Sequence, residues 1–276
     1  MAPPSHLGTA LITGASSGIG ALYADRLARQ GYDLILVARN RERLNALASD
    51  LSTRTGRAVE VLPADLNDRA ALAQVEKPLH QDASITLLVN NAGIGTHTPL
   101  LQSDVEQMTR MVELNVTAPM RLAYAAVPGF VARGRGAIIN IASIVAVSPE
   151  TLNGVYGGSK AFVLAFSQSL QHELADTAVR VQAVLPGATA TDFWATGGLP
   201  VEHLDPGIVM RAEDMVDAAL LGFARGEKVT IPSLHAGEKW DAYDAARQAM
   251  AGHLSSNTVA PRYAAGHGVS AACPSA

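Results

Sequence analysis

Tyr156 and Lys160 stand four residues apart at the start of a helix-forming pattern, so they share one face of that helix. A free phenol titrates near ~10, too high for efficient proton exchange at neutral pH. An ammonium beside it favours the phenolate, and lowering the phenol by roughly two to three units corresponds to about 3–4 kcal/mol of differential stabilisation. A phenol tuned in this way could protonate a carbonyl oxygen or deprotonate an alcohol. The same spacing also suits an ordinary amphipathic helix surface. Ser143, thirteen residues earlier at the end of an apolar strand, could hold a substrate oxygen and stabilise charge that develops on it. A serine there is equally a turn or cap residue. Asn115 is a poor helix former inside an apolar helical pattern, where a simple helix hydrogen bond would also account for it.

A second chemical signal is the turn Thr13-Gly14-Ala15-Ser16-Ser17-Gly18-Ile19-Gly20, between the first strand and the first helix. Glycines allow a sharp turn and close backbone approach, and the helix start offers free N–H groups and partial positive charge to a phosphate. The lysine of a nucleoside-triphosphate loop is absent, which disfavours a triphosphatase. The glycines fall as G-x-x-x-G-x-G rather than G-x-G-x-x-G. With Asn90-Asn91-Ala92-Gly93, Asn115, Ser143, Tyr156-Gly157-Gly158-Ser159-Lys160 and Pro186-Gly187 following in order across residues 8–235, the chain resembles the short-chain dehydrogenase/reductase family in its single-domain form.

That resemblance implies a Rossmann-type fold and a nicotinamide dinucleotide, with Asn115, Ser143, Tyr156 and Lys160 as the catalytic set. Tyr156 would be the general acid/base, its phenolate favoured by Lys160 and by an oxidised nicotinamide; Ser143 would hold the substrate oxygen, and Asn115 would join a proton relay through Lys160 and water. The cofactor would lie along Gly14, Ser16, Ser17, Gly18, Ile19 and Gly20, with Asp65 and Leu66 at the adenine. Asn91, Ala92, Gly93, Tyr156, Lys160, Pro186, Gly187, Thr189 and Thr191 would follow it towards the nicotinamide. Asp65 could instead cap the next helix, and Asn91 to Gly93 could be a polar turn.

The second strand ends Ala38-Arg39-Asn40-Arg41. An acid near this point would hold a ribose 2′-hydroxyl, whereas a guanidinium pairs with a 2′-phosphate. Arg39 therefore favours NADP(H), unless Arg39, Arg41 and Arg43 are only a solvated helix start. On the substrate side, the resemblance makes 188–211 a lid, and Ile94, His97, Val145, Phe193 and Trp194 would border a pocket for a ketone or aldehyde with hydrophobic bulk. The lid residues, with Leu199, could equally pack the lid onto the body of the protein.

Several other chemistries lack their residues. The stretch from Asn140 to Ser143 lacks the flanking glycines of a hydrolase's nucleophile elbow, and the eight histidines have no H-E-x-x-H spacing, so no metal site is expected. The expected activity is hydride transfer between NADP(H) and a carbonyl or secondary alcohol. The alternative is a non-catalytic NADP(H)-sensing regulator or scaffold on the same fold.

Positioning these residues requires alternating elements. Apolar runs at 9–13, 33–38, 58–62, 85–89, 137–141, 180–185 and 229–231 read as strands covered on both faces. Between them, 19–30, 41–51, 69–80, 105–132, 154–175 and 212–224 carry helical spacing. Repeated β-α-β units predict an α/β fold, a doubly wound parallel sheet of about seven strands in three α/β/α layers. One domain is expected over 1–251, followed by an Ala/Ser/Gly/Pro-rich tail over 252–276 that could be mobile or could dock on a neighbouring subunit or over a pocket.

The chain has 276 residues, 48% hydrophobic and 17% charged, enough for a substantial core without staples. Lys plus Arg number 21 against 25 Asp plus Glu, for a net charge of −4, which makes electrostatic capture of nucleic acid a poor fit. The one cysteine, Cys273, excludes an internal disulfide. The start, Met1 to His6, has no Lys or Arg and no long apolar run behind it, and no stretch suits a membrane span, so a cytoplasmic protein is expected. The resemblance further implies a homodimer or homotetramer. The alanine-rich 122–131 and 161–170 are compatible with helix packing between subunits or within one.

Overall fold

Successive residues of each strand enter opposite cores. In β1 (Thr9–Thr13), Ala10 and Ile12 face one side and Leu11 the other; in β2 (Asp33–Ala38), Leu34 and Leu36 part from Ile35 and Val37 in the same way. Such strands must be apolar at nearly every position, which is why they read as unbroken runs. The first core is covered by α1 (Gly18–Gln30), α2 (Arg41–Thr55) and a late helix, 212–224. The second is covered by α3 (Arg69–Gln81) and by helices spanning 118–132 and 154–173.

This computed structural model describes residues 5–263. After β3 (Val59–Pro63) and β4 (Ile85–Asn90), the chain runs through α4 (Val105–Val112), α5 (Ala118–Ala132), β5 (Gly136–Ile141), α6 (Gly154–Glu173) and β6 (Val179–Val184). The short β7 (Thr189–Ala190), α7 (Phe193–Thr196) and β8 (Met210–Arg211) precede α8 (Ala212–Ala224) and β9 (Val229–Thr230). The main sheet has seven parallel strands in the order β3-β2-β1-β4-β5-β6-β9, a Rossmann-type α/β architecture. The chain winds outward from β1 to β3, then returns to the other side of β1. The switch point between β1 and β4 opens a crevice at their carboxyl ends, where the Gly14 and Asn91 turns emerge.

The expected helix over 105–132 is interrupted. Residues Glu113–Thr117 form a π turn around Asn115, between α4 and α5. Pro119 has no N–H to donate to the Asn115 carbonyl four residues back, so the regular ladder cannot pass through that position.

Deep in the sheet, Asn90 Nδ2 donates to Asn140 Oδ1 at 2.9 Å, and Asn140 Nδ2 donates to Ser167 Oγ at 2.9 Å. These two asparagines are register partners on β4 and β5.

The chain divides into two compact units, Met1–Ser233 and Leu234–Ala276. The second contains α9 (Glu238–Met250), for which no helical pattern was assigned; Trp240 and Tyr243 pack on it with ring centroids 5.4 Å apart, and none of its residues is buried. The expected domain boundary at 251/252 falls just after this helix. Residues 1–4, within the stretch read as lacking a leader, and 264–276, the greater part of the expected tail with Cys273, lie outside the described residues. No helix among the described residues is long and apolar enough to cross a membrane, and no cluster of His, Cys, Asp or Glu among them could hold a metal ion.

Candidate active site

The glycine turn is built against β4. Asn91 Nδ2 donates to the carbonyls of Thr13 (2.9 Å) and Gly14 (3.3 Å), and Thr13 Oγ1 accepts from the backbone N–H groups of Asn91 and Ala92, both at 3.0 Å. Gly14 (φ 66°) and Gly18 (φ 53°) occupy the left-handed region. Gly20 lies so close to the Gly14 carbonyl and to Asn91 Nδ2 that a Cβ would collide with both. Side chains cap α2 (Asn40), α3 (Asp68), α4 (Asp104) and α6 (Asn153), whereas Ser17, the cap residue of α1, makes no side-chain cap bond. With Ser16, Ser17 and Ile19 around them, the first N–H groups of α1 face a glycine-walled cradle suited to an anion.

Ser143 follows β5, its Oγ accepting from Val145 N at 3.3 Å, and Tyr156 lies in the first turn of α6. Asn153 sets the start of α6, its Oδ1 accepting from the N–H groups of Val155 (2.8 Å) and Tyr156 (3.3 Å). Its Nδ2 donates to the Thr98 carbonyl at 2.6 Å, which ties α6 to the loop after β4. Tyr156 and Lys160 are each only 5% exposed, so the surface-helix alternative for this pair is excluded. Lys160 Nζ lies 6.0 Å from the centre of the Tyr156 ring and donates to the Ile141 carbonyl at 2.9 Å.

The expected lowering of the phenol drew on Lys160 together with an oxidised nicotinamide; the polypeptide's own contribution runs the other way. Burial pushes Tyr156 up to about 12, only partly opposed by the neighbouring Ser143 hydroxyl. Burial also brings Lys160 down to about 8. Desolvation is the largest cause for both groups.

Asn115 is committed to bracing. Its Oδ1 accepts from Ile94 N at 3.0 Å, and its Nδ2 donates to Ile94 O at 2.8 Å and to Ser159 Oγ at 3.0 Å. A helix hydrogen bond therefore does not explain this residue: its side chain reaches the loop after β4. Gly93 fits between Asn115 and Lys160, where a Cβ would lie 3.1 Å from Oδ1 and 3.4 Å from Nζ.

Arg39 and Asp65 follow neighbouring strands β2 and β3, with β1 and β4 between them and the catalytic side of the sheet. Arg39 is exposed and makes no ion pair among the described residues. Asp68 rather than Asp65 caps α3. Asp65 Oδ1 accepts from Asn67 N at 3.0 Å and is otherwise exposed, while Leu66 is buried. The Pro186 carbonyl accepts from Ile144 N at 3.0 Å, which holds the Ser143 turn beside Gly187.

The segment 188–211 begins and ends on the β7–β8 ribbon, in which Thr189 pairs with Met210. Thr191 packs beside Gly18, and Trp194 Nε1 donates to the Thr189 carbonyl at 2.9 Å. Val145 and Tyr156 are buried with Met108 and Met111, with Ile94, Leu152 and Phe193 against them. His97 is exposed, its Nδ1 3.2 Å from the Gly197 carbonyl. Sequence reasoning passed over Asn153, whose position just before a helix was a readable capping signal. It also passed over Met108, Met111 and Gly95, whose roles arise only from tertiary contact.

Comparison with known proteins follows this geometry. Residues 8–198 match the short chain dehydrogenase family. A short-chain dehydrogenase from Sphingobium yanoikuyae, solved in complex with NADPH, is similar with a TM-score of 0.91 at 50% identity, covering 94% of this chain and 100% of that one. A bulky-bulky ketone specific alcohol dehydrogenase from Comamonas testosteroni gives a TM-score of 0.87 at 45% identity, covering 94% and 99%. An uncharacterized oxidoreductase from Staphylococcus epidermidis is 33% identical over 207 residues, 72% of this chain and 88% of its own length. The chain belongs to the short chain dehydrogenase family, oxidoreductases that act on CH–OH and C=O groups.

Proposed function

We propose that this protein is an NADP(H)-dependent reductase of ketones or aldehydes with hydrophobic bulk. The observation that carries the reading is the buried group of Ser143, Tyr156 and Lys160 at the carboxyl end of β5, on the same edge of the sheet as the glycine cradle after β1. The cradle fits a dinucleotide: side chains are excluded at Gly14 and Gly20, and the start of α1 is uncapped. Gly14 to Gly20 would hold the pyrophosphate, Asp65 and Leu66 the adenine, and Asn91 to Gly93 with Pro186 to Thr191 the nicotinamide half. Arg39, exposed and free of ion pairs among the described residues, suits a 2′-phosphate. The NADPH complex of the Sphingobium relative and the ketone specificity of the Comamonas relative support the cofactor and substrate class.

When bound, the nicotinamide supplies the hydride for reduction. Tyr156 supplies the proton. Pushed up to about 12, its phenol holds that proton throughout the neutral range and can give it to a carbonyl oxygen held by Ser143. The Lys160 ammonium then stabilises the phenolate left behind. Oxidation must instead deprotonate a phenol held above its ordinary value, so it quickens as pH rises while reduction does not. Asn115 keeps Ile94 and Ser159 in place around the lysine.

The reading includes a cytoplasmic location and a homodimer or homotetramer, the latter supported by exposed Val105, Val112, Tyr124 and Val131 along α4 and α5. The testing experiment follows NADPH oxidation against a panel of aldehydes and ketones, with NADH in parallel. Turnover with NADPH and little with NADH is expected; tight NADPH binding without turnover on any carbonyl would refute the reductase assignment.

A further inference from the structure

Resting on that reading, we propose that Phe193 is the size-selecting residue of the site, seated against the Tyr156 ring by Gly95, and that the larger substituent of a carbonyl substrate takes the place of the Phe193 ring. Three elements meet at Gly95: the loop after β4, the catalytic helix α6 and the short α7. A Cβ on Gly95 would lie 2.5 Å from Phe193 Cζ and 3.0 Å from Tyr156 Cε2. The missing side chain is thus the space in which the Phe193 ring sits, its centroid 5.8 Å from that of Tyr156 and tilted by 45°.

The cavity beneath α7 is about 10 Å3, bounded by Gly95, His97, Leu152, Phe193, Trp194 and Gly197 among others. That space holds no more than about one water molecule, so a bulky substituent that reaches this side of the Tyr156 ring has to displace part of the wall. The other aromatic walls are tethered, Trp194 through Nε1 to the Thr189 carbonyl and His97 through Nδ1 to the Gly197 carbonyl. Tyr156 is held by the Asn153 cap and by burial. Phe193 has no polar tether and lies on a helix of four residues, none of them buried. Its ring is the wall that yields at least cost, and what it leaves is an apolar space beside the phenol.

The test compares wild type with Phe193→Ala, Phe193→Leu, Gly95→Ala and the Gly95→Ala/Phe193→Ala double variant. Each is assayed on a small aliphatic ketone and on a ketone with ring substituents on both sides, with NADPH affinity read separately by fluorescence titration. Phe193→Ala is expected to raise the kcat/KM ratio of bulky to small ketone by about tenfold or more, with NADPH affinity unchanged and Phe193→Leu intermediate. Gly95→Ala is expected to cost more activity with Phe193 present than in the Phe193→Ala background, because one of its two collisions is then gone. A ratio unchanged in both Phe193 variants, with the two ketones falling together, would reduce Phe193 to packing and overturn the inference. Wild type that turns over ketones while the ratio stays fixed fails this inference alone. Wild type that binds NADPH and reduces no carbonyl fails the underlying reading and this inference with it.

Discussion

Replacing Lys160 with methionine is expected to abolish turnover while leaving the fold about as stable as wild type at neutral pH. Burial brings the Lys160 ammonium from 10.5 down to about 8, so the charged form present at pH 7 is held in the fold at a cost of about 3 kcal/mol. Methionine removes that cost with similar side-chain length, but it also removes the bond to the Ile141 carbonyl, worth about 1–3 kcal/mol if the carbonyl is left unpaired. The two effects nearly cancel at pH 7, and their pH dependence separates them. Between about pH 8 and 10.5 the unfolded lysine binds a proton that the folded one has released, so wild-type stability rises through that window. From pH 7 to 9.5 the gain is about 2 kcal/mol, and Lys160→Met lacks it. Urea unfolding of both proteins at the two pH values, with every other titrating group common to the pair, isolates this term. Parallel stability changes would refute the account of Lys160 as a desolvated ammonium. A variant several kcal/mol less stable at both pH values would show that its contacts, rather than its charge, dominate.

Tyr156→Phe is expected to bind NADPH normally and lose turnover by orders of magnitude; near-normal kcat would remove the proton-transfer role. Gly20→Ala drives a methyl group into the Gly14 carbonyl, which is fixed backbone, so NADPH affinity should fall by about tenfold or more, with roughly 1–3 kcal/mol of stability lost. Fluorescence titration and urea unfolding measure the two effects. Tyr23 is fully buried and its hydroxyl has no hydrogen-bond partner among the described residues, so Tyr23→Phe should stabilise the protein by about 1 kcal/mol; a clear loss of stability would reveal a partner for that hydroxyl.

The sheet was legible because its strands are covered on both sides. Burial on both faces demands continuous apolar runs, and the bounds of 9–13 and 33–38 match the observed strands. The glycine turn was equally legible, since φ near +60° at Gly14 and Gly18 leaves few residue choices. Less visible was the break in the 105–132 helix. Its local cue is Pro119, but a proline near a helix start is also ordinary, and the decisive contacts of Asn115 go to Ile94, twenty-one residues away. The upward push on Tyr156 could not be read at all, because the four-residue spacing to Lys160 gives proximity but says nothing of depth. Gly95 shows the same limit: one glycine among twenty-four, singled out only by the two rings that converge on it.

The paired asparagines at the ends of β4 and β5 have a consequence for how the chain assembles. Strands rich in valine, leucine and isoleucine offer little to distinguish one alignment from the next, since apolar side chains fill shifted positions nearly as well. A one-residue slip of either strand would part Asn90 from Asn140 and send the slipped strand's amide to the opposite core, at about 1–3 kcal/mol for each hydrogen-bonding group left unmet. The pair therefore sets a cost on misaligned pairing of β4 with β5. The alignment it favours brings Gly93 and Ser143, each three residues beyond an asparagine, to the same level of the crevice.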